Sequence, residues 1–248
     1  MKAVRHIRLF VSQKLVSETL IELSEKQSHY LTNVMRCQSG QTVLCFNAES
    51  GEFLCRIEKA DKKKTVLKVG KNIRKPEAEP DIWLLFAPLK KDKTDFVIEK
   101  SVELGVGKII PVITCYTNAG QIKTERFSAQ AAEAAEQCGR LSVPEIADPA
   151  DLSELLKSWD NKRVLFFLDE RRHGNNAAEV FSAARGLPAA VLVGPEGGFS
   201  EAEAQRLNLC PFVKNLNLGP RILRAETAAV SALAVWQSAA GDWNKAGD

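Results

Sequence analysis

With 248 residues, 45% of them hydrophobic and 26% charged, the chain has the composition of an ordinary soluble globular protein and room for one large or two modest domains. Net charge is only +3, yet residues 1–75 carry 15 Lys/Arg against 7 Asp/Glu, whereas residues 76–248 carry 19 against 24. That asymmetry makes the first third the part expected to face a polyanion. The start, Met1-Lys-Ala-Val-Arg-His-Ile-Arg8, lacks the apolar run of a secretory signal, and no stretch approaches the roughly 20 apolar residues of a membrane span. Six cysteines, at 37, 45, 55, 115, 138 and 210, show no CxxC pairing. They read as buried free thiols in a reducing compartment, so the expected location is cytoplasmic.

The first third reads as short strands at Ile7–Val11, Gln41–Asn47, Glu52–Lys59 and Thr65–Val69, punctuated by turn signals at Ser39-Gly40 and Glu49-Ser50-Gly51. One helix interrupts them. Ser24 is its N-cap, Gln27 completes a capping box, and Tyr30-Leu31 with Val34-Met35 repeat at helical spacing. The sum is a small, mostly antiparallel barrel carrying one helix. His29 and Arg36 fall on or near that helix, where structural and substrate-positioning roles are both open. Lys62-Lys63-Lys64 follow Asp61 at a hairpin tip, where phosphate contact and plain solvation are both open.

A Pro-flanked linker, Arg74–Pro80, marks the boundary. Beyond it the pattern turns to alternating strands and helices. Strands are expected at Ile82–Ala87, Ile109–Thr114, Val164–Leu168, Ala190–Val193 and Phe212–Leu218, with a further one near Pro144–Ala147. Their continuous apolar character is that of parallel strands covered on both faces. Helices are expected at Thr94–Leu104, Glu125–Cys138, Asp151–Trp159, Asn176–Arg185, Ser200–Asn208 and Glu226–Ala240. This is an α/β domain with a mainly parallel sheet. The last helix is apolar around most of its circumference, which fits either a core helix or one covered by a partner helix.

Two glycine-bearing loops stand out, each between a strand and a helix: Gly194-Pro-Glu-Gly-Gly-Phe-Ser200 and Leu218-Gly-Pro-Arg-Ile-Leu-Arg224. Neither has the Gly-Lys-Ser/Thr ending of a P-loop or GxGxxG spacing. Glu196 would repel a phosphate, so a neutral or cationic small molecule suits the pair better, and two plain glycine turns remain the alternative. No GxSxG elbow is present. His6, His29 and His173 are too few and too scattered for a metal cluster.

The combination Gly194-Pro-Glu-Gly-Gly-Phe-Ser-x-x-Glu203 and Leu218-Gly-x-Arg-Ile-Leu-Arg-x-Glu-Thr-Ala228 resembles bacterial 16S ribosomal RNA uridine-N3 methyltransferases, of the SPOUT trefoil-knot class. His29-Tyr-Leu31, Lys100–Val106 with Pro111, and Glu136–Arg140 with Pro144 match in the same order, so the resemblance covers nearly the whole chain. It implies a PUA-like, OB-like RNA-binding barrel over residues 1–72 and a knotted SPOUT methyltransferase domain over 78–248. It also implies S-adenosylmethionine as cofactor, 16S rRNA or the small ribosomal subunit as partner, and a homodimer formed through the C-terminal domain. The cofactor set is then Leu168, Gly194, Pro195, Glu196, Gly197, Gly198, Leu218, Gly219, Ile222 and Leu223, with Asp169-Glu170 on the same rim. Arg221 and Arg224 are candidates for electrostatic stabilisation or uridine positioning, against a simpler ion pair with Glu196 or Glu226. The RNA-facing set is Arg8, His29, Arg36, Lys62, Lys63 and Lys64. A non-catalytic RNA-binding protein on the same fold is the competing reading.

Overall fold

The computed structural model describes residues 6–118, 120, 122–169, 171 and 174–244. The chain forms two compact units. One holds the described residues through Ala78 together with Ala135–Val143, and the other holds Glu79–Ala134 and the described residues from Pro144 onward.

The first unit is built on β1 (Arg8–Phe10), β2 (Leu20–Glu22), α1 (Glu25–His29), β3 (Thr42–Asn47), β4 (Gly51–Lys59) and β5 (Val66–Arg74). Its sheet runs β1-β3-β4-β5-β2, with β1 parallel to β3 and the other pairs antiparallel. Ser24 and Gln27 cap α1 reciprocally, and the helix passes directly into a π-helical turn, Tyr30–Val34. That turn drives Leu31 into a core with Leu9, Val11, Val43, Ile57 and Leu67. β2 was not anticipated, because only Ile21 of its three residues is buried. β5 continues past Val69, where the apolar pattern ends. Gly70 permits this, since a side chain there would lie 2.5 Å from the Leu54 carbonyl oxygen.

The second unit contains β6 (Ile82–Phe86), α2 (Lys91–Glu103), β7 (Lys108–Ile113), α3 (Thr124–Cys138, whose last turn belongs to the first unit), β8 (Glu145–Ile146), β9 (Ala150–Asp151) and α4 (Leu152–Lys157). It continues with β10 (Val164–Leu168), β11 (Asn175–Asn176), α5 (Ala177–Ala183), β12 (Ala189–Val193), α6 (Glu201–Leu209), β13 (Val213–Asn217) and α7 (Ala225–Ala239). Its sheet is ordered β11-β13-β10-β12-β6-β7-β8, with β9 beside β7, and the pairings are parallel.

Strand alternation sorts side chains to two faces. Leu165, Phe167, Ala190 and Leu192 share a cluster with Leu152 and Leu156 of α4 and with Ala204 and Leu207 of α6. Phe166 points the other way and meets Phe181 of α5 edge-on at 4.7 Å. Helix α7 lies against α2, α5 and β12. All residues of β12 are buried, which explains why its sequence shows no polar alternation. The six cysteines are free, but only Cys45 and Cys55 are buried; Cys37 and Cys210 are half-buried, and Cys115 and Cys138 are exposed. The expectation of burial thus holds for only these two, both in the central strands of the first unit.

Candidate active site

Three strand ends build the site. β10 lies between β12 and β13, and Leu168 at its end pairs with Val193 on one side and Leu216 on the other. Because all three strands run the same way, the chain segments leaving them converge on one edge of the sheet, the usual ligand position in parallel α/β folds. They enclose a cavity of about 360 Å³. Leu168, Gly194, Pro195, Glu196, Gly197 and Gly198 line it, as do Leu218, Gly219, Ile222, Leu223, Arg221 and Arg224. Asp169 and the first turns of α7, at Ala225 and Ala228, complete the wall. Glu170 and His173 lie outside the described residues.

The glycines act by different physics. At Gly194 a side chain would enter the Phe199 ring, 2.5 Å from its Cε2, so this glycine serves close packing. Gly198 adopts φ +70 and closes a turn by donating its N–H to the Pro195 carbonyl at 3.0 Å. At Gly197 a Cβ would stand 3.3 Å from Cβ of Tyr116. Gly219, at φ +107, donates to Asn217 Oδ1 at 2.8 Å, and a Cβ there would meet no protein atom within 4 Å.

Glu203 is a scaffold residue. Its carboxylate accepts from the Ser200 N–H at 2.8 Å, completing the α6 capping box, and from the Cys115 N–H at 2.8 Å. Asp169 is buried and accepts from the N–H and Nε of Arg171 at 3.0 and 2.9 Å, while Arg171 reaches on to Glu201 at 2.8 Å.

Lys93 belongs to the site's surroundings. Its Nζ lies 2.9 Å from Glu196 Oε1 and 3.8 Å from Glu226 Oε1. The ammonium holds the Glu196 carboxyl below its ordinary range. Among the described residues, the ion-pair partner of Glu196 and Glu226 is therefore Lys93, rather than Arg221 or Arg224. Both arginines are exposed, and Arg224 is the N-cap of α7. The sequence offered no signal for Lys93, which lies 103 residues from Glu196.

In the first unit, His29, Arg36 and Lys62–Lys64 are exposed. Asp61 accepts from the N–H groups of Lys63 and Lys64 at 2.9 and 3.1 Å, which shapes the lysine turn. Lys64 also pairs with Glu22 at 2.9 Å.

Arg8 differs from its expected surface role. Its Nε binds the buried Glu52 at 2.6 Å, its Nη1 donates to the carbonyls of Ala135 and Glu136, and its Nη2 donates to that of Arg140. Its guanidinium also covers the Phe46 ring at 4.1 Å. The Glu136–Arg140 motif is the other half of this network, with Glu136 accepting from the Phe10 N–H at 3.0 Å and Gly139 from Arg74 at 2.7 Å.

Two families of known domains match the chain. The RNA methyltransferase domain family matches residues 76–237, and the RNA methyltransferase PUA domain family matches residues 23–70. The chain is 31% identical over 232 residues to the ribosomal RNA small subunit methyltransferase E of Rickettsia conorii, covering 93% of this chain and 95% of that protein. Against the protein of the same name from Bacillus subtilis, identity is 30% over 241 residues, with 92% and 94% covered. A Legionella pneumophila methyltransferase solved with bound cofactor SAM superposes with a TM-score of 0.88 at 30% identity, covering 96% and 100% of the two chains. The small subunit methyltransferase E of Neisseria gonorrhoeae, bound to S-adenosyl methionine, gives a TM-score of 0.85 at 25% identity, covering 97% and 100%.

Proposed function

The chain belongs to the ribosomal RNA small subunit methyltransferase E family, and on that premise we propose that it methylates N3 of a uridine in 16S ribosomal RNA with S-adenosylmethionine as methyl donor. The observation carrying this reading is the cavity at the ends of β10, β12 and β13, walled by two glycine turns and faced by two arginines. The residues present fit the donor. Leu168, Leu218 and Leu223 offer apolar contact for a purine, and the Gly194–Gly198 and Leu218–Gly219 turns offer backbone groups at close approach.

S-adenosylmethionine supplies a methyl carbon activated by a sulfonium. The chain's own contribution is orientation and the handling of charge. Uracil N3 becomes nucleophilic only as its proton departs, and the resulting negative charge spreads to the flanking O2 and O4. Arg221 and Arg224, fixed cations at the mouth of the cavity, stabilise that charge and hold the base edge. Apolar walls exclude water, which strengthens both interactions.

In this reading residues 1–72 hold RNA through His29, Arg36 and the Lys62–Lys64 turn, while residues 78–248 hold the methyl donor. The active form is a homodimer. Helix α7 buries Ala229, Ala232, Leu233 and Trp236, yet leaves Val230, Ala234 and Val235 half-exposed beside them, an apolar strip that a second copy of α7 would cover. The functional test is transfer of tritium from labelled S-adenosylmethionine to small-subunit particles, followed by nuclease digestion and chromatography of the nucleosides. 3-Methyluridine is the expected product; label in any other nucleoside refutes the N3 assignment.

A further inference from the structure

The Lys93 ammonium stands between carboxylates of two segments that border the cavity. Glu196 belongs to the turn after β12 and lines the cavity. Glu226 is in the first turn of α7, directly after Arg224 and Ala225, which also line it. The Glu226 side chain is only 15% exposed, and its Oε2 is buried with no hydrogen-bond partner among the described residues. Such an oxygen is costly unless a nearby cation offsets the carboxylate's charge, and the Lys93 ammonium lies 3.8 Å from its other oxygen, Oε1. The backbone at the lysine is anchored by its neighbour. The next residue, Thr94, is buried and its hydroxyl bonds both the N–H and the carbonyl of Leu89 at 2.9 Å, fixing the passage from β6 into α2.

We propose that Lys93 is a positioning residue for methyl transfer. Its ammonium couples the Glu196 turn to the head of α7 and so fixes Arg224, the N-cap of that helix, relative to the methyl-donor turn. The idea rests on the function proposed above, but its physical core, charge coupling between two segments, can be tested without turnover.

The full chain is compared with K93M, K93R and E226Q by hydrogen exchange, by calorimetric titration with S-adenosylmethionine, and by steady-state methylation. In K93M, the hydrogen-bonded amides of Gly198 and Ala228 should exchange about tenfold faster, donor Kd should rise about tenfold, and kcat at saturating donor should fall at least about tenfold while KM for RNA holds. K93R, which keeps the charge, should remain within about threefold of the parent in each. K93M indistinguishable from the parent in exchange and donor affinity overturns the proposal. K93R as impaired as K93M also overturns it, because shape rather than charge would then be at work. Should K93M fail to fold, E226Q decides: faster exchange at Ala228 alone supports the coupling, and unchanged exchange overturns it. A parent protein that methylates no RNA refutes the function proposal and leaves the exchange result standing on its own.

Discussion

The ring of Phe199 fills the space where a side chain on Gly194 would stand. An added Cβ would come within 2.5 Å of Cε2, and the ring has little freedom to retreat, because it is buried and packs edge-on against Phe167 at 4.9 Å. Gly194→Ala should therefore destabilise the second unit by about 1–3 kcal/mol, the usual cost of overpacking, and should weaken donor binding as the turn shifts. Denaturant unfolding checks the first effect and calorimetry the second. Pairing it with Phe199→Leu should recover part of the lost stability; strictly additive losses would mean that the ring is not the obstacle.

Gly219 invites a different substitution effect. No protein atom lies within 4 Å of a Cβ built there, but φ is +107. Gly219→Val should cost about 1–3 kcal/mol through backbone strain and should raise the Kd for S-adenosylmethionine at least about tenfold, because the new side chain enters the cavity wall. A folded variant with parental affinity would remove the Leu218–Gly219 turn from the donor site.

Acid should loosen the Lys93–Glu196 pair in a predictable direction. The folded-state pKa of Glu196 is depressed, chiefly by its hydrogen bond to Lys93. A depressed carboxyl contributes stability that is fully present above its unfolded pKa, about 4.3, and is lost as pH falls through the lower folded value. Glu196→Gln should flatten that part of the stability profile below about pH 5. Both side chains are partly exposed, so the change in slope will be small. Parallel acid profiles for parent and variant would contradict the pairing.

Arg8→Met should act on folding. It strips the cation from Glu52, which is only 4% exposed and whose other basic neighbour, Arg74, lies 4.0 Å away. Leaving a buried carboxylate without its main partner typically costs about 3–5 kcal/mol. Circular dichroism during denaturant unfolding should show the first unit destabilised, and Arg8→Met with Glu52→Gln should be less damaging than Arg8→Met alone. A stable Arg8→Met protein with reduced RNA affinity would return Arg8 to the RNA surface.

The sequence revealed local features more readily than distant ones. β6, β7, β10 and β12 were legible because strands buried on both faces are written as uninterrupted apolar runs, whereas β13 carries Lys214, Asn215 and Asn217 and buries only Leu216. The capping boxes at Ser24 and Ser200 were legible because both partners lie within one turn. β9 and β11 are two residues each, too short to carry a period, and β2 shows a single buried side chain. The residues around the cavity could be anticipated because glycine loops at strand ends are local signals. Lys93 could not, since its partners come from segments 103 and 133 residues away along the chain. Arg8 was obscured for the same reason, its acceptors lying 44 to 132 residues distant. A threaded chain path leaves no trace in periodicity at all, and entered only through the resemblance.

The Lys62–Lys64 turn offers the most direct test of RNA binding by the first unit. Lys64 is paired with Glu22 and Lys68 with Glu18, so reversing either would also disturb the pairing of β2 with β5. Lys62 and Lys63 are exposed at the tip, and the turn itself is held by backbone N–H groups bonded to Asp61. Lys62→Glu with Lys63→Glu should consequently leave the fold intact. If both lysines meet phosphates, RNA affinity should fall and the slope of log K against log salt should shrink by roughly 0.7–0.9 for each phosphate no longer neutralised. Affinity for S-adenosylmethionine should not change, because the cavity belongs to the second unit. Filter binding of a small-subunit RNA fragment across a salt series reads both quantities. An unaltered slope would show that the turn is solvated in the complex and would shift RNA recognition to His29, at the end of the first helix, and to Arg36, beyond the π-helical turn.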